Sequence, residues 1–163
     1  METARPATPD DVARIADLAR EERAELAEYR GGALWATREV AAEPLVEHVT
    51  ELLTRDDARV IVGCIDAVVV GFGTVLVEQL RDGTHLGVVT DLYVEPDARS
   101  VGVGEAIANA LEEHCRAARC TGIDVVALPG HRAAKNFFEE QGYTARAIVM
   151  HHSLLETGVT EPE

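Results

Sequence analysis

Lysine is nearly missing from this chain. Lys135 stands alone against fourteen arginines in 163 residues. A Walker phosphate loop, which must end in Gly-Lys-Ser/Thr, is therefore excluded. The formal charge of −14 argues against a nucleic-acid surface, which needs clustered Lys and Arg. We read the excess of arginine as the coding bias of a high-GC bacterium, not as chemistry. The acidity suits attraction of a cationic amine, but keeping the protein soluble is the commoner role of such charge. Cysteine is scarce. Cys64, Cys115 and Cys120 are odd in number and form no Cys-x-x-Cys, which favours buried or incidental thiols in a reducing cytoplasm over disulfides or a metal. No run of about eighteen apolar residues is present to span a membrane. The opening Met-Glu-Thr-Ala-Arg-Pro lacks a basic stretch followed by an apolar one, so no secretory signal is read. His151 and His152 are adjacent and on a strand point to opposite faces, so a shared metal is not expected.

What is there fits one domain over residues 1–163. No linker, repeat or composition break divides it. Thr8-Pro-Asp-Asp11 reads as a helix start, with Thr8 as cap, Pro9 in the first position and Asp11 closing a capping box. Val12, Ile15, Ala16, Ala19 and Leu26 then recur at helical spacing, and Gly31-Gly32 breaks the helix. A second helix is expected from about Glu43 to Thr54. Three strands follow, Arg59–Ile65, Val68–Glu78 and His85–Val94. Their β-branched content and short polar turns favour an antiparallel meander. Val103, Ile107, Leu111, His114 and Ala118 form the next helical stripe, with His114 a partly buried helix residue. Gly122–Leu128 is nearly all apolar, as in the middle of a sheet, and strand–helix–strand makes a parallel crossover. His131–Gln141 is the last helix, closed by Gly142. Alternating Ala145, Ala147 and Val149, then Leu154, suggest a final strand or two. The tail 157–163 is expected to fray.

The most informative run is Thr90-Asp-Leu-Tyr-Val-Glu-Pro-Asp-Ala-Arg-Ser-Val-Gly-Val-Gly-Glu105. It reads as a strand stopped by Pro96, a tight turn, and a helix start opened by Gly102 and Gly104. Amides converging at a helix N-terminus suit a phosphate or pyrophosphate. A Rossmann loop is disfavoured because Ala106 and Ile107 follow where a third glycine belongs. Arg99-Ser-Val-Gly-Val-Gly104 does satisfy Arg/Gln-x-x-Gly-x-Gly/Ala. With Asp-Leu-Tyr-Val-x-Pro before it, the run resembles the pyrophosphate loop of the GNAT superfamily of acyl-CoA N-acyltransferases. Arg5-Pro-Ala-Thr-Pro-Asp-Asp-Val-Ala-Arg-Ile15 resembles that superfamily's first strand and helix. Ala134-Lys-Asn-Phe-Phe-Glu-Glu-Gln-Gly-Tyr143 resembles its last helix.

The resemblance covers about residues 3–155. It implies an α/β GNAT fold: a mixed, mostly antiparallel sheet splayed between two parallel strands and flanked by about four helices. Acetyl-CoA is the implied co-substrate, lying in the gap, with no metal required. Leu92, Tyr93 and Val94 are expected to meet pantetheine, and their backbone to supply an oxyanion donor. Arg99, Ser100, Val101, Gly102, Val103, Gly104 and Glu105 are expected to hold the pyrophosphate. The implied reaction moves an acetyl group to a primary amine on a small molecule or a protein, by direct attack in a ternary complex. No nucleic-acid or membrane partner is implied, and a homodimer stays open because relatives are often dimers.

Two positions depart from the pattern. Phe138 stands where many relatives carry a Tyr that protonates the thiolate. Water, Tyr93 or Tyr143 are the substitutes, and Phe138 is expected near the thiol or in the core. Thr90 replaces the first of two acids found in some polyamine-acetylating relatives. Asp91 keeps the second and is a candidate base or amine-binding group, or a structural carboxylate. Glu78 is the second candidate base, against a solvated strand end. His131 touches pantetheine or caps its helix. Trp35, Tyr29, Arg30 and Arg38 wall the acceptor pocket or pack under a loop. These departures keep alive an alternative, an acyl-CoA-binding regulatory domain without catalysis.

Overall fold

A computed structural model describes residues 1–156. Its strands are β1 (Glu2–Pro6), β2 (Ala58–Ile65), β3 (Val68–Gln79), β4 (His85–Val94) and β5 (Cys120–Val125). Its helices are α1 (Val12–Leu26), α2 (Gly32–Arg38), α3 (Leu45–Leu52), α4 (Val103–Ala117) and α5 (Arg132–Glu140). The short α2, capped by Gly31 at φ 78°, is the helix the sequence reading did not separate. The strands form one sheet in chain order. β1 to β4 are antiparallel neighbours, and β5 joins β4 in parallel through the α4 crossover.

Alternation along the strands sends side chains to two cores. Val60, Val62, Phe72 and Tyr93 face Ile15, Leu18, Leu45 and Val49 of α1 and α3. Ile61, Val75, Val89 and Val94 face Val103, Ile107 and Leu111 of α4. α4 lies close to the sheet because Gly63, Gly71 and Gly73 make a flat strip beneath it. A Cβ on Gly63 or Gly73 would lie 2.7 Å from Ile107 atoms. The expected capping box at Thr8 and Asp11 is present, with Thr8 N donating to Asp11 at 2.8 Å.

Two expectations about the far side of the sheet are corrected. β5 is not central: among the described residues it is an edge strand, and its side chains from Ile123 to Val125 are only half-buried. The final strand or two over Ala145–Leu154 is not formed, and residues 144–156 are exposed without regular structure. Alternation alone does not make a strand; a paired edge must be there to accept it. The frayed tail expected at 157–163 lies outside the described residues.

Candidate active site

β4 changes character halfway along. Residues His85 to Val89 pair with β5, the last pair being Val89 with Val125. β5 ends there, so the rest of β4 has no strand neighbour on that side among the described residues. A bulge sits at the same point, since Thr74 pairs with Asp91 but Val75 with Val89, leaving Thr90 extra. As a result Val89 and Leu92 both face α4, although a regular strand sends residues three apart to opposite faces. Bulges commonly re-aim a strand beside a site. Here the bulge turns Asp91 and Tyr93 towards α1.

Asp91 is buried there in a polar knot. Its carboxylate accepts from Thr74 Oγ1 at 2.8 Å, Thr90 Oγ1 at 2.9 Å and Arg23 Nη1 at 2.9 Å. The same Arg23 nitrogen donates to Glu22 at 2.7 Å. Glu22 is 1% exposed. Burial, then the adjacent Asp91 charge, push its carboxyl well above the usual range. Burial also works against a charge on Asp91. The hydrogen bond from Glu22, the Arg23 guanidinium and the two threonine hydroxyls outweigh it and hold Asp91 below the ordinary value. The two carboxyls are thereby pushed in opposite directions, Glu22 towards its protonated form and Asp91 towards its charged one. Glu22 escaped the sequence reading because it sits in the charged run Arg20-Glu-Glu-Arg23. The signal was its spacing, one helical step beyond Ala19 on the buried stripe.

The glycine loop follows at the open end of β4. Ser100 and Gly102 have φ of 68° and 97°, with Val101 between them. This alternation folds successive amides around one point, as in an anion-binding nest. No side chain caps α4, and among the described residues the amides of Ser100, Val101, Gly102, Val103, Gly104 and Glu105 meet no backbone acceptor. A Cβ built on Gly104 would lie 3.6 Å from Phe137 and 3.8 Å from Val94. The loop, the end of β4 and α5 therefore meet here. Phe137, absent from the sequence-predicted residues, is the aromatic that touches the loop.

Arg99 is used differently from its neighbours. Its Nε donates to the Val94 carbonyl at 2.7 Å, and its two Nη atoms grip Glu25 at 2.9 and 2.7 Å. It lies 5.3 Å over the Tyr93 ring. It braces α1 to β4, so both ends of the open segment Leu92–Val94 are held by side chains. Burial foremost, with Glu25 next, pushes the Tyr93 hydroxyl up to about 12.

His131 stands at the N-cap position of α5 without a side-chain capping bond, and stacks on Tyr29, ring centres 4.6 Å apart. Burial above all lowers its pKa, with Glu25 opposing and Arg99 adding to the effect, which favours the neutral imidazole. Phe138 is buried, edge-on to Tyr143 at 5.3 Å. Burial pushes the Tyr143 hydroxyl up to about 12. Trp35 packs with Val40 and Leu128 under the α1–α2 connection. Arg38 pairs with Glu39, and the Arg30 backbone passes beside Gly130. Glu78 does not join this site: it is exposed and pairs opposite Leu86, about 13 Å along the sheet from Thr74.

A strand edge left open at a bulge thus lies next to a nest of free amides at a helix start. The chain belongs to the acetyltransferase (GNAT) family, whose model matches residues 15–143. No curated protein matches it significantly in sequence. Solved structures share its fold. The BH1408 protein of Bacillus halodurans, as a tetramutant, superposes with TM-score 0.79 at 18% identity, covering 93% of this chain and 99% of that one. An aminoglycoside acetyltransferase from an uncultured soil metagenomic sample, in complex with sisomicin, gives 0.71 at 19%, covering 96% and 97%. Glucosamine-6-phosphate N-acetyltransferase from Arabidopsis thaliana gives 0.66 at 21%, covering 94% and 99%. Among the described residues no helix is long and apolar enough to cross a membrane.

Proposed function

We propose that this protein is an N-acetyltransferase that moves the acetyl group of acetyl-CoA to a primary amine by direct attack. One observation carries the reading. The open edge Thr90–Val94 adjoins the uncapped amides of Ser100–Glu105. Pantetheine carries amides and can add to a strand edge as a peptide does. Amides at a helix start suit the pyrophosphate.

The amine arrives as an ammonium ion and must lose a proton before its lone pair attacks the thioester carbon. The N–C bond forms, the C–S bond breaks, and the thiolate takes up a proton. We assign the first proton to His131. Its lowered pKa favours the neutral imidazole, and among the described residues its ring nitrogens make no hydrogen bond. Asp91 is a poorer acceptor because four partners already stabilise its charge, and Glu78 lies away from the gap. Asp91, with Glu22 and Arg23, is instead a positioning group that holds the bulge. Water, Tyr93 or Tyr143 would protonate the thiolate; both phenols are pushed up to about 12 and so keep their protons at neutral pH. The reading is of a bacterial cytoplasmic enzyme, in keeping with three unpaired cysteines.

Thiol release from acetyl-CoA across a panel of polyamines, amino sugars and lysine peptides tests this. We expect turnover with at least one amine. Acetyl-CoA binding without turnover on any amine would leave the non-catalytic binder as the correct account.

A further inference from the structure

We infer, on the reading of His131 as the amine's proton acceptor, that Tyr29 is the positioning residue that aims it. The Tyr29 ring, laid flat on the imidazole from the turn after α1, fixes where the accepting nitrogen points.

A histidine that moves a proton is usually aimed by a hydrogen bond to its second ring nitrogen. Among the described residues His131 has no such bond. Nor are its nitrogens sealed in protein, since the buried side-chain nitrogens left without a partner there are those of Arg23 and His114. The charges that act on the ring are Glu25 of α1 and Arg99 of the loop, in opposite senses. Each already grips the other, at 2.9 and 2.7 Å. An imidazole without a hydrogen bond is free to sample several rotamers.

Tyr29 supplies the missing restraint. The two rings stack with centres 4.6 Å apart and planes 21° from parallel. Both backbones are anchored. Tyr29 N donates to the Leu26 carbonyl at 3.1 Å, and its own carbonyl accepts from Gly32 N at 2.9 Å. His131 N donates to the Leu128 carbonyl at 3.0 Å, and its own carbonyl accepts from Lys135 N at 3.2 Å. Gly130 lies against the same ring: a Cβ there would sit 3.6 Å from Tyr29 Cδ1. Tyr29 also packs against the cluster of Trp35, Val40 and Leu128. The stack therefore ties His131 to a packed base. It also joins the α1–α2 turn to the segment that opens α5.

Three substitutions test this. Tyr29→Leu and Tyr29→Met keep bulk under the turn but lose the flat face, whereas Tyr29→Phe loses only the hydroxyl. In the Leu and Met variants we expect kcat to fall about tenfold or more, with KM for acetyl-CoA held within about twofold. The His131 ring resonance, followed by NMR against pH without substrate and identified by its loss in His131→Gln, should titrate closer to the ordinary 6.5 as the ring meets water. The acidic limb of kcat/KM should move up with it. Tyr29→Phe should restore the wild-type kcat, titration and limb. An unmoved His131 titration in the Leu and Met variants overturns the inference whatever kcat does, and so does a wild-type kcat in them; either result leaves His131 standing as the base. A Tyr29→Phe variant as impaired as Tyr29→Leu overturns it too, because the hydroxyl and not the ring face would then be at work. Wild-type turnover in His131→Gln removes the base itself, and the role of Tyr29 with it.

Discussion

β4 is one strand with two halves. His85–Val89 is laced to a neighbour on each side, whereas Thr90–Val94 is laced only to β3. The paired half is built for packing. Gly87 lies so close beneath α4 that a Cβ there would sit 2.5 Å from Cys115 Sγ. The open half is built from polar parts that cost energy to bury: Asp91, its two threonine partners, and the Glu22–Arg23 pair from α1. Hydrophobic packing cannot hold a strand edge open, because an unpaired edge invites pairing. The difference teaches that the gap is kept by a bulge at Thr90, and the bulge by a buried charge network.

Breaking that network should have the largest effect. Asp91→Asn removes the charged partner of buried Arg23 and leaves it only Glu22, the carboxyl pushed towards its protonated form, and we expect a loss of about 3 kcal/mol in urea unfolding. Glu22→Gln should be far milder, since burial and Asp91 push Glu22 towards its neutral form. The sign of its pH dependence follows. A carboxyl raised in the folded state costs stability as pH climbs from the unfolded value of 4.5 towards the folded one. Relative to the wild type, Glu22→Gln should therefore gain stability over that rise. Equal pH profiles would remove the raised Glu22 carboxyl.

Next come two small-to-larger changes that should sort the halves. Gly87→Ala overfills the paired half and should cost about 1–3 kcal/mol of stability, with acetyl-CoA affinity of the folded protein unchanged. Gly104→Val should do the reverse. A Cβ there meets only ordinary contacts, so melting should barely move, while acetyl-CoA binding weakens at least tenfold, or about 1.4 kcal/mol. If both variants lose the same property, the two halves are not distinct.

The smallest expected effect is a pH profile. His131 has a pKa below the ordinary 6.5 and must be neutral to accept a proton. kcat/KM should thus hold at neutral pH and fall once pH drops through that lowered value. His131→Gln should abolish this acidic limb. A limb that persists unchanged assigns the proton to another group.

The sequence made the frame legible because its signals are local. The β2–β4 strand limits, the Thr8–Asp11 cap and the Gly102 turn each depend on residues within a few positions. The bulge at Thr90 was hidden, for it exists only relative to β3 register. Arg99 matched the loop motif, but its direction depended on Glu25, far off in sequence. Ala145–Leu154 alternates like a strand, yet whether it pairs is decided by what lies beside it.

The central claim is that acetyl-CoA lies along the open half of β4 and the nest after it. Amide chemical-shift mapping of the ¹⁵N-labelled protein with acetyl-CoA tests this most directly. The account predicts the largest shifts at Leu92–Val94 and Ser100–Glu105, with His85–Val89 nearly still. Shifts centred on the paired half, or near Glu78, would contradict it.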